Sequence, residues 1–206
     1  SHVLSELGGG LAWPTKYTKE NIGEHYKDFG NPETDGHGHS MIACYKVWVK
    51  RGKDKDYVKK HWKYIVEAED YIGWHLDNPQ LSFSENGLLY GETEAGLCDC
   101  SLQCNVPSYV GLLMYADMAE SIGETEAASR WRTRADGLRK AIEAQFLNST
   151  SDSPYWEYRV WLADLCNMIT HFHKYYGNDL VGKMPAGWLE AAENTYQTDR
   201  KKRPHF

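Results

Sequence analysis

Apolar residues recur every three or four positions through most of this chain, and that spacing constrains its fold more than any other feature. The spacing predicts one helix over residues 40–51 and a second over residues 56–76. The turn residues Arg51-Gly52-Lys53-Asp54 separate them, and Asp77-Asn78-Pro79 ends the second. Two helices with so short a connection form an antiparallel helical hairpin.

The same design recurs further along the chain. Pro107 is predicted to open a third helix that runs to Gly123, and Glu124 to begin a fourth that runs to Phe146. The fourth helix has an apolar stripe, and its basic side chains are expected to face water. The apolar positions are Ala127, Trp131, Ala135, Leu138, Ile142 and Phe146, and the basic ones are Arg130, Arg132, Arg134, Arg139 and Lys140.

Two further helices are predicted over 156–176 and 185–196, with only a brief strand around 88–90. We therefore expect an all-α fold that forms a single domain over residues 1–206, with a frayed tail over 197–206.

Charge and hydropathy argue against two kinds of partner, nucleic acid and a membrane. The 206 residues carry a formal net charge of -6, so no global positive field attracts nucleic acid. The sequence has no apolar run of 18 residues, so we expect no membrane partner. It begins with Ser1 rather than Met, which leaves localisation open. The 8 Trp, 14 Tyr and 9 His supply more amphipathic rings than packing usually requires.

Two long segments rich in Gly, acidic residues and aromatics interrupt the helices, over 8–39 and 78–104. Structureless loops longer than about 15 residues are uncommon unless they are functional or disordered. The composition favours function, with the helices as a frame and the loops as a binding or catalytic site.

The first of these loops ends in Asp35-Gly36-His37-Gly38-His39. Asp35 and His37 could hydrogen-bond a polyhydroxyl substrate, since glycines let the backbone approach a ligand. A structural alternative is that Asp35 or Ser40 caps the following helix and the histidines lie at the surface. A metal site is a further alternative that would need more ligands than His-x-His supplies.

The second loop holds two carboxylates one residue apart, Glu92 and Glu94, between glycines and beside Tyr90. Such a pair can occupy unlike environments, one desolvated and protonated, the other ionised, which is what a general acid requires. The alternative is that both are solvated loop charges.

Five cysteines are an odd number in a chain too long to need disulfides, which favours free thiols. Cys98, Cys100 and Cys104 could also form part of a zinc site, but its separated second ligand pair has only a loose candidate in Cys166 near His171 and His173. We therefore expect neither a metal nor a cofactor. Among the aromatics, Trp13, Tyr90 and Trp156 are candidates to stack on sugar rings.

The order of these features resembles the six-hairpin glycoside hydrolases, an (α/α)6-barrel superfamily that includes glucoamylases, bacterial α-rhamnosidases and the glucosidase domain of glycogen debranching enzymes. The resemblance covers about residues 30–147: Asp35 in a Gly-rich loop, a helical hairpin, the acidic loop with Glu92 and Glu94, and the second hairpin with Asn105-Val106-Pro107-Ser108-Tyr109. It implies a carbohydrate substrate, a usually inverting mechanism, an acid in the loop over 90–96, and a substrate-binding Asp35.

A complete barrel of this kind needs twelve helices, about twice what this chain supplies, and the general base of such families comes from the later half. Glu157 could stand in for that second carboxylate. Three interpretations follow: a fragment that needs the remainder of a longer chain, one piece of a cleaved enzyme, or a half-barrel that assembles with a second copy. Two other functions stay open, a polysaccharide lyase on the same toroid and a non-catalytic helical-repeat module that binds carbohydrate or protein. Few basic residues in the loops argue against the lyase, and unequal loop lengths argue against a repeat.

Overall fold

The computed structural model describes residues 34–92, 98–147 and 188, and this part of the chain is predominantly helical, which confirms the expected all-α class. By backbone contacts the chain divides into two compact units, Ser1–Ala141 and Ile142–Phe206. The helices are α1 (Thr34–Lys50), α2 (Lys55–Asp77), the single turn α3 (Pro79–Ser82), α4 (Leu102–Ser121) and α5 (Thr125–Ile142), with a π-helical turn over Glu143–Leu147. Two short strands, β1 (Gly91–Glu92) and β2 (Cys98–Asp99), pair antiparallel between α3 and α4.

The first predicted hairpin is confirmed by α1 and α2, which are joined by residues 51–54. Gly52 and Lys53 have positive φ angles in this turn, and the Asp54 carboxylate caps α2 by accepting a hydrogen bond from the Asp56 backbone N–H at 2.9 Å. The bounds of α2 agree with the sequence prediction to within a residue at each end.

The start of α1 differs from the prediction. The helix begins at Thr34 rather than Ser40, so the supposed glycine-rich loop residues lie in its first turns. A Cβ on Gly38 would lie 2.5 Å from the Ser108 backbone nitrogen on α4, and one on Gly111 would lie 2.9 Å from the Met41 Cβ. Glycine is therefore required here by the close packing of α1 on α4, which outweighs its low helix propensity.

Helix α4 also begins earlier than predicted. Ser101 caps it by accepting the Cys104 backbone N–H at 3.4 Å, so Pro107 lies inside the helix rather than at its start. Proline has no N–H to donate to the carbonyl four residues earlier, which costs the helix one internal hydrogen bond. Burial of nearly all residues from Leu102 to Val110 offsets that loss.

The predicted apolar stripe of α5 is confirmed. All six of its members are buried, and Trp131 lies between the Trp62 ring of α2 and the Tyr115 ring of α4, at centroid distances of 5.5 and 6.3 Å. The expectation that every basic residue of this helix faces water is wrong for Arg134, whose side chain is only 17% exposed and pairs with Glu69 of α2. A buried carboxylate holds the guanidinium against the bundle.

The brief strand expected around 88–90 is also shifted. The paired strands are β1 and β2, while Leu88 only forms an isolated bridge with Glu85 across Asn86-Gly87. Both of these turn residues have positive φ, 54° and 78°, as a tight Asn-Gly turn requires. No helix in the described part of the chain is both long and apolar enough to span a bilayer.

The predicted fifth and sixth helices and the tail lie outside the described residues, except for Trp188. This residue is helical and fully buried, and its indole N–H donates to the Glu143 carboxylate at 3.2 Å.

Candidate active site at the start of α1 and α4

Two segments that lie far apart in the sequence meet at the start of α1. The Thr34 hydroxyl donates a hydrogen bond to the Tyr90 carbonyl at 3.1 Å, and the Ser108 hydroxyl lies 3.5 Å from the Thr34 carbonyl and 2.9 Å from that of Cys104. Thr34 and Ser108 are fully buried. The first turn of α1, the residues before β1 and the first turns of α4 are therefore held together at one place.

Asn105 of α4 fixes the segment that leads to β1. Its side-chain oxygen accepts the Leu89 backbone N–H at 2.7 Å, and its side-chain nitrogen donates to the Leu89 carbonyl at 3.0 Å and to the Ser101 carbonyl at 2.7 Å. The Asn105 side chain thus pairs with Leu89 as a neighbouring strand would. Leu88 and Leu89 are buried beside it, so Tyr90 and β1 start from a fixed position.

His37 lies one turn into α1 and is 3% exposed. Its Nε2–H donates to the Ala68 carbonyl of α2 at 2.7 Å, and its ring stacks on Tyr71 at a centroid distance of 4.4 Å. Burial lowers the pKa of His37 to about 4, although the hydrogen bond to Ala68 opposes this shift. The ring is therefore neutral at pH 7, and its Nε2–H is engaged with the backbone. A contact between His37 and a sugar stays a prediction. The burial of the ring does not favour it, because little of the ring is accessible to a ligand.

Of the predicted site residues other than His37 and Tyr90, the structure describes the backbones of Asp35 and Glu92 only. The backbone of Asp35 lies in the first turn of α1, next to Thr34, and that of Glu92 lies in β1, two residues after Tyr90. Their side chains lie outside the described part, as do Glu94, Trp13 and Trp156 entirely. The backbones of Asp35 and Glu92 are thus brought to the same end of the bundle, and the other assignments stay predictions. Ser40 is not the alternative cap, since it lies inside α1 and donates to the Gly36 carbonyl at 2.8 Å.

Tyr90 is half-buried and contacts an aromatic residue that sequence reasoning missed. The Phe83 ring lies 5.6 Å from the Tyr90 ring, centroid to centroid, at an interplanar angle of 54°. Phe83 is 43% exposed and has a left-handed backbone, with a φ of 57°. It follows the one-turn helix α3, where helical periodicity gives no signal.

A buried ion pair on α2 and α5 was also missed. Arg134 pairs with the Glu69 carboxylate through Oε1 and with Asp77 at 3.0 Å, while Oε2 of Glu69 is buried without a hydrogen-bond partner. Burial raises the pKa of Glu69 above its ordinary value, against the opposing charge of Arg134. A cavity of about 460 Å³ adjoins this pair; its lining residues are Leu76, Asp77, Gly87, Arg130, Thr133, Arg134, Gly137 and Leu138. The pair fixes α5 on α2, because the fully buried Glu69 carboxylate would be costly to leave without a neighbouring cation.

Cys44, Cys100 and Cys104, all in the described part of the chain, are not joined in disulfides. Burial raises the pKa of the Cys44 thiol, whose sulfur lies 3.7 Å from the Tyr57 hydroxyl, so it is a poor nucleophile. Among the side chains that the structure describes, no three His, Cys, Asp or Glu residues are grouped to hold a metal ion.

Comparisons with protein-family models, with curated proteins and with solved structures find no match for this chain.

Proposed function

We propose that this chain carries the acid-bearing half of a glycoside hydrolase built from helical hairpins of an (α/α) toroid. Its substrate is an oligo- or polysaccharide, which it hydrolyses with inversion. Glu94 or Glu92 is the general acid, and Asp35 binds the sugar. The observation that carries this proposal is the Thr34–Tyr90 hydrogen bond, because it joins the chain next to Asp35 to the chain next to Glu92.

An acid and an ionised partner need different surroundings. The backbone N–H groups in the first turn of α1 have no acceptor within the helix, and they lie at the positive end of the helix dipole. Both features favour a carboxylate at Asp35 or an oxygen of a bound sugar. The chain leading to Glu92 instead passes through buried Leu88 and Leu89 and the half-buried Tyr90. These apolar surroundings support the assignment of the protonated general acid to the acidic loop rather than to Asp35 on α1.

In an inverting mechanism the acid protonates the leaving oxygen while a second carboxylate activates a water on the opposite face of the sugar, roughly 6.5–9.5 Å away. Glu92 and Glu94 are neighbours in one loop, so only one of them is assigned a catalytic role. The second carboxylate is proposed to come from residues after Phe146, from the remainder of a longer chain or from a second copy.

The test uses the intact chain with Glu92→Gln and Glu94→Gln, each of which removes the transferable proton and keeps the shape. Release of reducing sugar from a panel of neutral oligosaccharides is measured, with Glu126→Gln on the exposed start of α5 as the matched control. One of the two loop variants should lose activity by about 10²-fold or more, while the control keeps it.

Undiminished release in both loop variants would contradict the assignment of the acid. Binding by the wild-type chain without release would favour a non-catalytic module, and ultraviolet absorbance from an unsaturated uronic acid product would favour a lyase.

A further inference from the structure

The most unusual exposed side chain in the described part is Phe83. The large apolar side chains exposed there are Phe83 at 43%, Val47 at 45% and Val49 at 42%, and the two valines belong to α1. Phe83 differs from them in two respects: its ring contacts the Tyr90 ring, and its backbone has a φ of 57° and a ψ of 15°. A left-handed backbone disfavours any residue with a Cβ, so a bulky aromatic here calls for an explanation.

The chain on both sides of Phe83 is anchored. The Ser82 hydroxyl donates to the His75 carbonyl at 2.7 Å and accepts the Ser84 backbone N–H at 3.4 Å. Ser82 and Ser84 are both buried, and the Cys100 thiol donates to the Phe83 carbonyl at 3.8 Å. The neighbours therefore fix the backbone of Phe83 without burying its ring.

The backbone of Tyr90 is fixed as well. Its carbonyl accepts the Thr34 hydroxyl, and the preceding residue Leu89 is held by Asn105. Hydrogen bonds thus hold the backbone that carries each ring, and the two rings are tilted by 54° to each other. Strain retained at a fixed, exposed position is a feature of ligand-contacting sites.

We propose that Phe83 and Tyr90 form an aromatic platform that stacks on the apolar C–H face of a pyranose ring of the bound carbohydrate. This inference rests on the proposed function and adds a sugar-binding subsite next to β1. A protein partner would use an apolar patch of at least several hundred Å². A pair of aromatic rings matches the size of one sugar ring, and the Tyr90 phenol has a hydroxyl that can hydrogen-bond to sugar hydroxyls.

Substitution of Phe83 by Asn tests the platform, because Asn tolerates a left-handed backbone and removes the ring. The intact chain carries Glu94→Gln as well, so that binding is measured without turnover. The probes are maltohexaose, cellohexaose, mannohexaose and a rhamnogalacturonan oligosaccharide on a printed array, followed by titration of the best-bound one.

We expect Phe83→Asn to raise the Kd by about tenfold or more, which corresponds to about 1.4 kcal/mol. The midpoint of thermal unfolding should not fall, whereas a merely structural role for the ring would lower it. Phe83→Tyr should retain the affinity, and Val47→Ala on α1 is the control for loss of an exposed apolar side chain.

An unchanged Kd in Phe83→Asn, or no binding of any probe by the Glu94→Gln background and the wild-type chain, would overturn the platform. The two proposals fail separately. If activity survives in both Glu92→Gln and Glu94→Gln while Phe83→Asn weakens binding, the acid assignment is wrong and the platform stands. If activity is lost in one of the glutamate variants but the Kd is unchanged in Phe83→Asn, the acid assignment stands and the platform is wrong.

Discussion

The buried imidazole of His37 predicts a specific dependence of stability on pH. Burial lowers the pKa of this ring from 6.5 to about 4. Between these values the unfolded chain binds a proton that the folded chain does not, so the free energy of unfolding rises with pH across this interval. This contribution is fully present above pH 6.5 and is lost as the pH falls towards 4.

The magnitude follows from the two pKa values. One pKa unit corresponds to about 1.36 kcal/mol, so the full shift is worth about 3 kcal/mol at low pH. Between pH 8 and pH 5 the linkage relation gives a loss of about 2 kcal/mol from this one residue. Because the ring is 3% exposed, solvent screening reduces that figure little.

Other ionisable groups also titrate, so the assay compares variants by urea unfolding at several pH values. His37→Gln can still donate to the Ala68 carbonyl but cannot titrate. We expect the wild-type chain to lose about 2 kcal/mol more than His37→Gln between pH 8 and pH 5. Val58→Ala, a fully buried apolar substitution on α2, is the control and should be destabilised almost equally at both pH values.

Parallel pH profiles for the wild-type chain and His37→Gln would refute the argument, since they would mean that the ring titrates alike in the folded and unfolded chains. An NMR titration that found the His37 ring half-protonated near pH 6.5 in the folded chain would refute it directly.

Two further predictions concern packing and charge. Gly38→Ala should destabilise the chain by about 3 kcal/mol, because the new Cβ meets backbone atoms of α4 that cannot move aside. Gly137→Ala should instead stabilise α5 by up to about 1 kcal/mol, because nothing lies within 4 Å of its new Cβ. Thermal unfolding measures both changes, and equal shifts of the midpoint would contradict the packing argument. Arg134→Met should lower the free energy of unfolding, measured in urea, by about 3–5 kcal/mol, because Glu69 is left buried without its cation. Arg130→Met, on the exposed side of α5, should lower it by under about 1 kcal/mol. Similar losses in the two variants would show that the buried ion pair does not stabilise the fold more than an exposed arginine does.

Local sequence patterns predicted most of the helical frame. The stripe from Ala127 to Phe146 and the bounds of α2 follow from periodicity and turn residues, which act over a few positions. The start of α1 could not be found in this way. Gly36 and Gly38 look like helix breakers in the sequence. Gly38 is required in this helix by its close packing against Ser108, which is remote in the sequence.

Distance along the chain also explains what was missed at the candidate site. Arg134 looked solvent-exposed because its partner Glu69 is 65 residues away, and nothing local marks that pairing. Phe83 was missed because its left-handed backbone and exposure depend on the anchoring of Ser82 and Ser84. Asp35 and Tyr90 were assigned to one site from residue type and from the resemblance. The Thr34–Tyr90 hydrogen bond brings the residue next to Asp35 to Tyr90, and their role in binding stays a prediction.

The packing of α1 on α4 links the fold to the proposed site. Gly38 and Gly111 let the two helices approach closely, and this approach keeps Thr34 within reach of both Ser108 and Tyr90. A methyl group at Gly38 would push α1 from α4 near Thr34, and so move Asp35 relative to β1. Gly38→Ala should therefore weaken carbohydrate binding as well as stability, by about tenfold if one hydrogen bond of about 1.4 kcal/mol is lost.

The comparison that isolates this coupling is with Val58→Ala, which lowers stability through α2 without widening the contact between α1 and α4. At a temperature where both variants stay folded, carbohydrate affinity should fall only in Gly38→Ala. Equal affinities would mean that the helix contact and the proposed site are independent, and that the glycines serve the bundle alone.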